Sequence, residues 1–299
     1  MQFEKQAVNA GSAQAPGPYT VQMILSPTTL FTSATFAAVG AYALAALWPQ
    51  AGEPSDTPPA DRLGLKRWPP ALWLLAAGWM AQSLAIALDV LDWQAGAPVA
   101  RFGFAPALSF TVWMVLLIYA IERLEVDSLA ARRSLAWLAV ASCVLAWLFP
   151  GQVHPSQHAL APLHWVLGLS SYGLFGAALL HAAFMRRAEK RLKQRLPPAG
   201  IPLLKLESLT FRFVMAGFLV LSATLLLGYA FASPWRWDHK TVFSVLSWGV
   251  FSTLLLGRHW MGWRGRTATL WLSAGSVLLL LSYVGSRFVL EVLLHRPAA

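Results

Sequence analysis

Eight apolar stretches that contain no Asp, Glu, Lys or Arg divide the chain, and they constrain its fold more than any other feature. A helix needs about 20 apolar residues to cross the bilayer core, and it must pair its own backbone polar groups there. The sequence therefore predicts an all-α, polytopic integral membrane bundle of about eight transmembrane helices. The predicted spans are Met23–Trp48, Ala71–Leu88, Phe102–Ile121, Ser134–Phe149, Pro162–Phe184, Phe213–Trp235, Thr241–Gly257 and Thr267–Ser286.

The fourth and seventh stretches are shorter than the others. Each can gain a turn from its flanking residues, which keeps the count at eight, whereas seven spans would require one of the two to be re-entrant. The composition agrees with a membrane protein, because 57% of the residues are hydrophobic and 12% are charged, against about 25% charged in a soluble domain. This balance excludes an ordinary cytosolic enzyme, a disordered chain and a secreted disulfide scaffold.

The distribution of Lys and Arg among the connections predicts the orientation of the bundle. The connections after the first, third, fifth and seventh spans are basic, whereas the alternate connections hold only Arg101, Arg236 and Lys240. Basic connections remain in the cytoplasm, so the N- and C-termini are both predicted to lie outside, on the periplasmic face of a bacterial inner membrane. The net charge of +10 is thereby explained as an insertion signal, and nucleic-acid binding is not expected.

Three segments are expected along the chain: a polar N-terminal tail over residues 1–22, four spans over 23–150, and four more over 162–290. The basic connection Arg186–Ser208 is expected to lie with its first half as an amphipathic helix on anionic lipid headgroups. The single cysteine, Cys143, permits neither a C-x-x-C pair nor a C-x-x-C-H haem-attachment motif. The chain is therefore not itself a dithiol reductant.

Histidines are the candidate metal ligands of the chain. Those at the predicted outer face are His154, His158, His164, His239 and His295. His164 and His181 share one predicted helix and are separated by about 25 Å at 1.5 Å per residue, so they cannot bind the same iron. His154 and His158 have a helical ligand spacing, but Pro155 lies between them. Each isolated histidine is also explained as a hydrogen-bonded residue of the membrane interface.

The segment from Trp235 to Lys240, which reads W-R-W-D-H-K, has two explanations. In the first, the tryptophans lie at the lipid–water boundary and Asp238 caps the helix that follows. In the second, the indole faces pack on a flat macrocycle with a central iron and two carboxylates. Arg236 and Lys240 would then meet the propionates, and neutral imidazoles would bind the iron.

The order of motifs in the second half resembles the cytochrome c assembly protein family, of the CcsA/HemX-like type. The resemblance covers about Leu163 to Phe288, and the chain looks most like the compact, eight-span branch of that family. The motifs that carry it, in order, are His164, Ser171-Tyr172, Gly228, the W-x-W-D-x-K segment from Trp235 to Lys240, Trp248, and Gly262-Trp263-Arg264-Gly265-Arg266.

The resemblance implies that the tryptophan-rich segment lies outside and holds haem, most simply non-covalent haem b. By position, the implied haem-binding residues are His164, Trp235, Arg236, Trp237, Asp238, Lys240 and His295. Among them, His164 and His295 would be the axial ligands of the iron. The implied role is that of a haem-handling factor in c-type cytochrome assembly rather than an enzyme, and no catalytic residue is assigned.

The same role implies haem, apocytochrome c and a thiol-reducing protein as partners, because haem attachment requires reduced thiols that this chain does not supply. An alternative is a HemX-like membrane regulator or scaffold that acts on haem biosynthesis through the basic connection Arg186–Lys205. A third possibility, a small-molecule permease, is disfavoured because the predicted spans contain no charged residue for coupling.

Overall fold

The computed structural model describes residues 27–49, 70–90, 99–122, 129–155, 160–195, 202–231, 237–289 and 292. Within these ranges the chain forms eight helices that are long and apolar enough to cross a membrane. They are α1 (Pro27–Leu47), α2 (Pro70–Val90), α3 (Phe104–Glu122), α4 (Leu129–Leu148), α5 (Ala161–Lys193), α6 (Leu203–Phe231), α7 (His239–Met261) and α8 (Gly265–Leu280). The predicted helical bundle of eight spans is confirmed.

The last span does not end with α8. It continues through a π-helix (Leu281–Gly285) into a short helix α9 (Ser286–Phe288), so that the apolar segment runs from Gly265 to Phe288. The predicted end of this span, Ser286, is therefore two residues too early. A π-helix is rare, and it occurs mostly as a single turn inside an α-helix, frequently at functional sites.

The two short predicted stretches are complete helices. α4 begins five residues before Ser134 and thereby takes in Arg132 and Arg133. α7 extends beyond both predicted ends, from His239 to Met261. Long basic side chains keep their charge near water while their stems pack on apolar surface, so they do not end a helix at the membrane boundary. No re-entrant segment is needed.

The connection predicted over Arg186–Ser208 is helical at both ends. α5 continues to Lys193, and α6 begins at Leu203. The first half of the connection is therefore helical, as a direct extension of α5, and its position on lipid headgroups stays a prediction. Lys190, Arg191 and Lys193 occupy the last turn of α5, where cations interact favourably with the negative end of the helix dipole.

Apolar side chains form two main cores, one among α1–α4 and one among α5–α8. In the second core the rings of Phe175 and Phe251 stack with centroids 3.7 Å apart. α3 packs directly on α5, where a Cβ added at Gly173 would lie 2.6 Å from Cβ of Met114. Small residues allow helix backbones to approach closely in membranes, so this contact joins the two halves.

Three polar side chains inside the bundle of the first four helices, those of Tyr42, Gln82 and Ser109, are joined by hydrogen bonds. The Tyr42 hydroxyl donates to Oε1 of Gln82 at 2.7 Å, and Nε2 of Gln82 donates to Oγ of Ser109 at 3.0 Å. Arg132 and Arg287 lie just outside the predicted spans, and the structure buries both of them near helix ends. The Arg132 guanidinium donates to the carbonyl of Trp48 at 3.0 Å, which compensates for its burial.

Two four-residue strands, which the sequence did not predict, tie outer connections together. β1 (Val99–Phe102) pairs antiparallel with β2 (Gln152–Pro155), with Arg101 opposite Val153. β1 ends two residues before α3 begins, and β2 precedes α5 in the chain. His154 lies in β2, which removes the helical spacing with His158, and His158 itself lies outside the described residues.

The orientation can be tested by cysteine labelling in a Cys143→Ala parent, because Cys143 is the only native thiol. His239 and Arg187 are both exposed and lie at opposite ends of the bundle. We expect a membrane-impermeant maleimide to label His239→Cys in intact spheroplasts and to label Arg187→Cys only after lysis. The reverse pattern would contradict the orientation predicted from the basic connections.

Candidate functional site

A cavity of about 370 Å³ lies between α5, α6, α7 and the last span, at the end of the bundle predicted to face outward. Its walls include His164, Tyr172, Gly228, Asp238, Lys240 and Tyr283. The volume falls within the range of small-molecule sites. The cavity joins the beginnings of α5 and α7 to the ends of α6 and of the last span, so residues distant in sequence meet there.

His164 lies in the first turn of α5, where its backbone N–H donates to the carbonyl of Leu160 at 3.1 Å. Its imidazole is hydrogen-bonded to the backbone of Thr224 on α6. The ring also packs against Gly228, where an added Cβ would lie only 3.0 Å from Cε1 of His164. Gly228 therefore leaves the space that the imidazole occupies. The hydrogen bond to the backbone of Thr224 orients the imidazole ring. A backbone hydrogen bond of this kind is how proteins orient a metal-ligating histidine.

Tyr172 lies two turns beyond His164 and connects α5 to the last span. Its hydroxyl donates to the carbonyl of Leu279 at 2.5 Å and lies 3.0 Å from Oγ of Ser282. Ser282 also donates to the Leu279 carbonyl, at 2.7 Å. The π-helix begins at Leu281, two residues after Leu279, and it includes Ser282. Side chains that insert into the backbone ladder in this way distort a helix.

Two cations approach the ring of Tyr283, which lies in the π-helix and lines the cavity. Nζ of Lys240 is 5.5 Å from the ring centroid, and Cζ of Arg287 is 5.7 Å from it. Both distances are typical of cation–π contacts. Arg287 is only 6% exposed, and the sequence does not predict this burial, because the predicted last span ends at Ser286. Arg287 follows Tyr283 by four residues, and side chains at this spacing are neighbours on one face of a helix, so the spacing itself indicates the contact.

Asp238 caps α7, which confirms the first explanation of this residue. Its Oδ1 accepts from the Thr241 N–H at 2.8 Å, and its backbone is extended. Partial burial raises the pKa of the Asp238 carboxyl, but the hydrogen bonds from Thr241 and the nearby positive groups of Lys240 and His239 outweigh it. The pKa therefore lies below its ordinary value, and the carboxyl is ionised at neutral pH.

The sequence-predicted site residues are only partly brought together. His164, Asp238 and Lys240 line one cavity. Trp237 precedes α7 and is 69% exposed, and it is absent from the lining of that cavity. Trp235, Arg236 and His295 lie outside the described residues. The haem-platform interpretation of the two tryptophans therefore remains a prediction.

The two remaining described histidines lie elsewhere. His181 is 2% exposed and stacks on Phe213 with ring centroids 5.3 Å apart, while its Nδ1 is 2.8 Å from the Ala177 carbonyl. His259 is exposed near the C-terminus of α7, at the opposite end of that helix from Lys240. Among the described His, Cys, Asp and Glu residues, no group of three is placed to hold a metal ion.

The motif from Gly262 to Arg266 has a structural role at the other end of the bundle. Gly262 ends α7 in the left-handed conformation, with φ of 66°, and lets the chain reverse into α8. Glu207 on α6 bridges two arginines, by an ion pair with Arg258 and by a 2.9 Å contact with Nε of Arg264. This part of the family-like pattern stabilises the connection rather than the cavity.

The chain is similar to known proteins over more than half of its length. The family described as Cytochrome C assembly protein matches residues 103–294, which includes α3 and α4 as well as the second half. The Inner membrane protein YpjD of Escherichia coli (strain K12) is 30% identical over 189 residues, covering 56% of this chain and 70% of that protein. The Cytochrome c biogenesis protein CcsA of Prochlorococcus marinus (strain MIT 9303) is 34% identical over 86 residues, 27% of each chain. CcsA of Synechococcus sp. (strain CC9311) is 35% identical over 85 residues, which cover 27% of this chain and 28% of that protein. No solved structure matches the chain.

The fit of His164 against Gly228 can be tested by a double-mutant cycle. We expect Gly228→Ala to destabilise the protein by about 1–3 kcal/mol, because the new methyl group overpacks the imidazole. The loss should shrink in a His164→Ala background, where the methyl group has room. Thermal unfolding in detergent measures both effects. Gly249→Ala is the matched control, because nothing lies within 4 Å of its added Cβ; equal losses in the two backgrounds would contradict the contact.

Proposed function

The chain belongs to the cytochrome c assembly protein family, and from this premise we propose that it acts in c-type cytochrome assembly by holding haem at the outer end of the bundle. It is a multi-pass inner-membrane protein of eight helices. The bound group is proposed to be non-covalent haem b, since the chain contains no C-x-x-C-H motif for covalent attachment.

The observation that carries the proposal is the placement of His164. Its imidazole faces a cavity, is oriented by Thr224, and occupies the space left by Gly228. Histidine is a common axial ligand of haem iron. The residues at this end fit haem in their chemistry: a nitrogen donor, the aromatic ring of Tyr283, and the cation of Lys240 for a propionate.

Each described residue has a task in this proposal. His164 would bind the iron from α5, and Lys240 would hold a carboxylate from α7. Asp238 would keep the start of α7 in place through its cap rather than by contact with the iron. Trp237, being exposed, is available to cover a flat ligand from outside the cavity. His295 remains the proposed second axial ligand.

Bound haem would supply the iron–porphyrin group that is joined to cysteine thiols of an apocytochrome. The chain itself supplies no reducing dithiol, because its one thiol, Cys143, is buried in the core of the first four helices. Apocytochrome c and a thiol-reducing protein are therefore the proposed partners. The outer end of the bundle, where the cavity lies, is where they would meet this protein.

The proposal predicts a spectroscopic difference between two histidine variants. Wild-type protein purified in detergent and titrated with haemin should develop a Soret band, and His164→Ala should bind haemin at least tenfold more weakly, a loss of about 1.4 kcal/mol or more. His259→Ala, exposed at the far end of α7, should bind like wild type. A wild-type protein that retains no haemin would overturn haem handling and favour the regulator or scaffold role.

The tryptophans can be tested separately by replacing Trp235 and Trp237 with Leu, which keeps apolar bulk but removes the aromatic faces. If they cover haem, maturation of c-type cytochromes in a deletion host should fall several-fold while the amount of membrane-inserted protein is unchanged. Trp260→Leu is the matched control, because Trp260 is exposed near the opposite end of α7. Normal maturation in the double variant would identify these tryptophans as an interface belt.

A further inference from the structure

A second cleft lies at the opposite end of the bundle from the His164 cavity, where α6 meets the turn between α7 and α8. Its volume is about 420 Å³. Among the described residues of its wall, three are arginines, Arg212, Arg258 and Arg264, and one is a carboxylate, Glu207. Because arginine stays protonated in proteins, these residues leave an excess of two positive charges on the wall.

Glu207 fixes two of the three guanidinium groups. Its Oε1 accepts from Nη1 of Arg258 in an ion pair, and it also accepts from Nε of Arg264 at 2.9 Å. Arg258 is held further by the Trp263 carbonyl, at 3.3 Å, and by the Phe211 ring, whose centroid is 4.4 Å from Cζ. One carboxylate therefore holds two cations in place and neutralises only one of their charges.

Arg212 and Arg264 present their guanidinium groups to the open side of the cleft. Arg212 is exposed, and within the described part of the chain it forms no ion pair. The Arg264 side chain is 62% exposed, and Glu207 engages only its Nε. The terminal nitrogens of Arg264 can therefore donate to a ligand. Guanidinium groups bind phosphate oxygens in a bidentate manner, so the cleft suits a phosphate.

The depth of the cleft places these charges at the surface of the hydrocarbon core. From Arg212 to Phe231 α6 rises about 28 Å, and from His239 to Arg258 α7 also rises about 28 Å. Both lengths match the thickness of the core, about 30 Å. Met215, one turn deeper on α6, belongs to the same wall and is 47% exposed. The cleft is thus cationic at headgroup level and apolar below it.

We propose that this cleft is a binding site for an anionic phospholipid, whose phosphate is held by Arg212 and Arg264 while an acyl chain packs on Met215. This end of the bundle is predicted to face the cytoplasm, where the leaflet is rich in anionic lipids, and basic pockets between transmembrane helices bind such headgroups. The bound lipid would join α6 to the turn after α7. The site shares no residue with the proposed haem site, so either proposal can fail alone.

Native mass spectrometry of the detergent-purified, full-length protein tests the site, because it resolves successive lipid adducts. Phosphatidylglycerol and phosphatidylcholine with the same acyl chains both contain a phosphodiester, but the choline cancels its charge. Wild type should bind the first phosphatidylglycerol about fivefold or more tightly than phosphatidylcholine. Arg212→Gln and Arg264→Gln should each remove most of this preference and leave phosphatidylcholine binding unchanged.

Two matched controls remove the same charge nearby without touching the cleft. Arg266 is exposed two residues after Arg264, and Arg187 is exposed near the inner end of α5, and neither lines the cleft. Arg266→Gln and Arg187→Gln should both keep the wild-type preference. Arg212→Lys should retain part of it, because the charge remains but the bidentate fork is lost. Arg212 takes no part in the Glu207 pairs, so its variants test the cleft even if Arg264→Gln disturbs the turn.

Three outcomes would overturn the proposal. Equal affinity of wild type for the two lipids would show that the cleft does not select an anionic headgroup. An equal loss of preference in Arg266→Gln and Arg187→Gln would assign the effect to the charge of the whole inner face. Displacement of phosphatidylglycerol by millimolar glycerol 3-phosphate at constant ionic strength would identify a site for a soluble phosphate ester, since a lipid site also depends on the acyl chain.

Discussion

The structure depends on one constraint: polar groups within a lipid-embedded bundle must find partners inside the protein, because lipid offers none. The hydrogen bond from the Tyr172 hydroxyl to the Leu279 carbonyl meets this requirement and at the same time joins α5 to the last span. α5 carries His164, and the last span carries Tyr283 and Arg287. This bond therefore holds the helix that carries His164 against the helix that carries Tyr283, and both of these residues line the cavity.

The same bond explains why the last span is irregular. Two hydroxyls, those of Tyr172 and Ser282, compete for the Leu279 carbonyl, so the regular i to i−4 ladder is disturbed, and the helix widens into a π-turn over Leu281–Gly285. Widening changes which residues of the following turn face inward. Tyr283 consequently lines the cavity, and Arg287 is buried beside the Tyr283 ring, although an apolar pattern alone does not predict that an arginine is buried there.

The sequence predicted the eight spans well, because charge-free apolar length is set by bilayer thickness, and it predicted the Asp238 cap because that hydrogen bond is local. It did not predict the burial of Arg287, which depends on a π-turn and on a tyrosine about 115 residues earlier in the chain. It also missed the pairing of β1 with β2, because four-residue strands far apart in sequence leave no periodic signal. Trp237 belongs to the motif that carries the family resemblance. Its exposed position outside the cavity lining depends on the tertiary structure, which the motif does not specify.

Gly228 belongs to the family-like pattern but has no side chain, so its contribution to the site is steric. A glycine near the end of a membrane helix is usually explained by close helix packing, but here the atom that would meet its Cβ belongs to the imidazole of His164. The backbone of Thr224, one turn earlier, bonds to the same ring. α6 thus contributes a space and a hydrogen bond, α5 contributes the imidazole, α7 contributes Lys240, and the last span contributes the Tyr283 ring. Each of the four helices of the second half therefore supplies a different part of the cavity wall, so the cavity depends on all four of them.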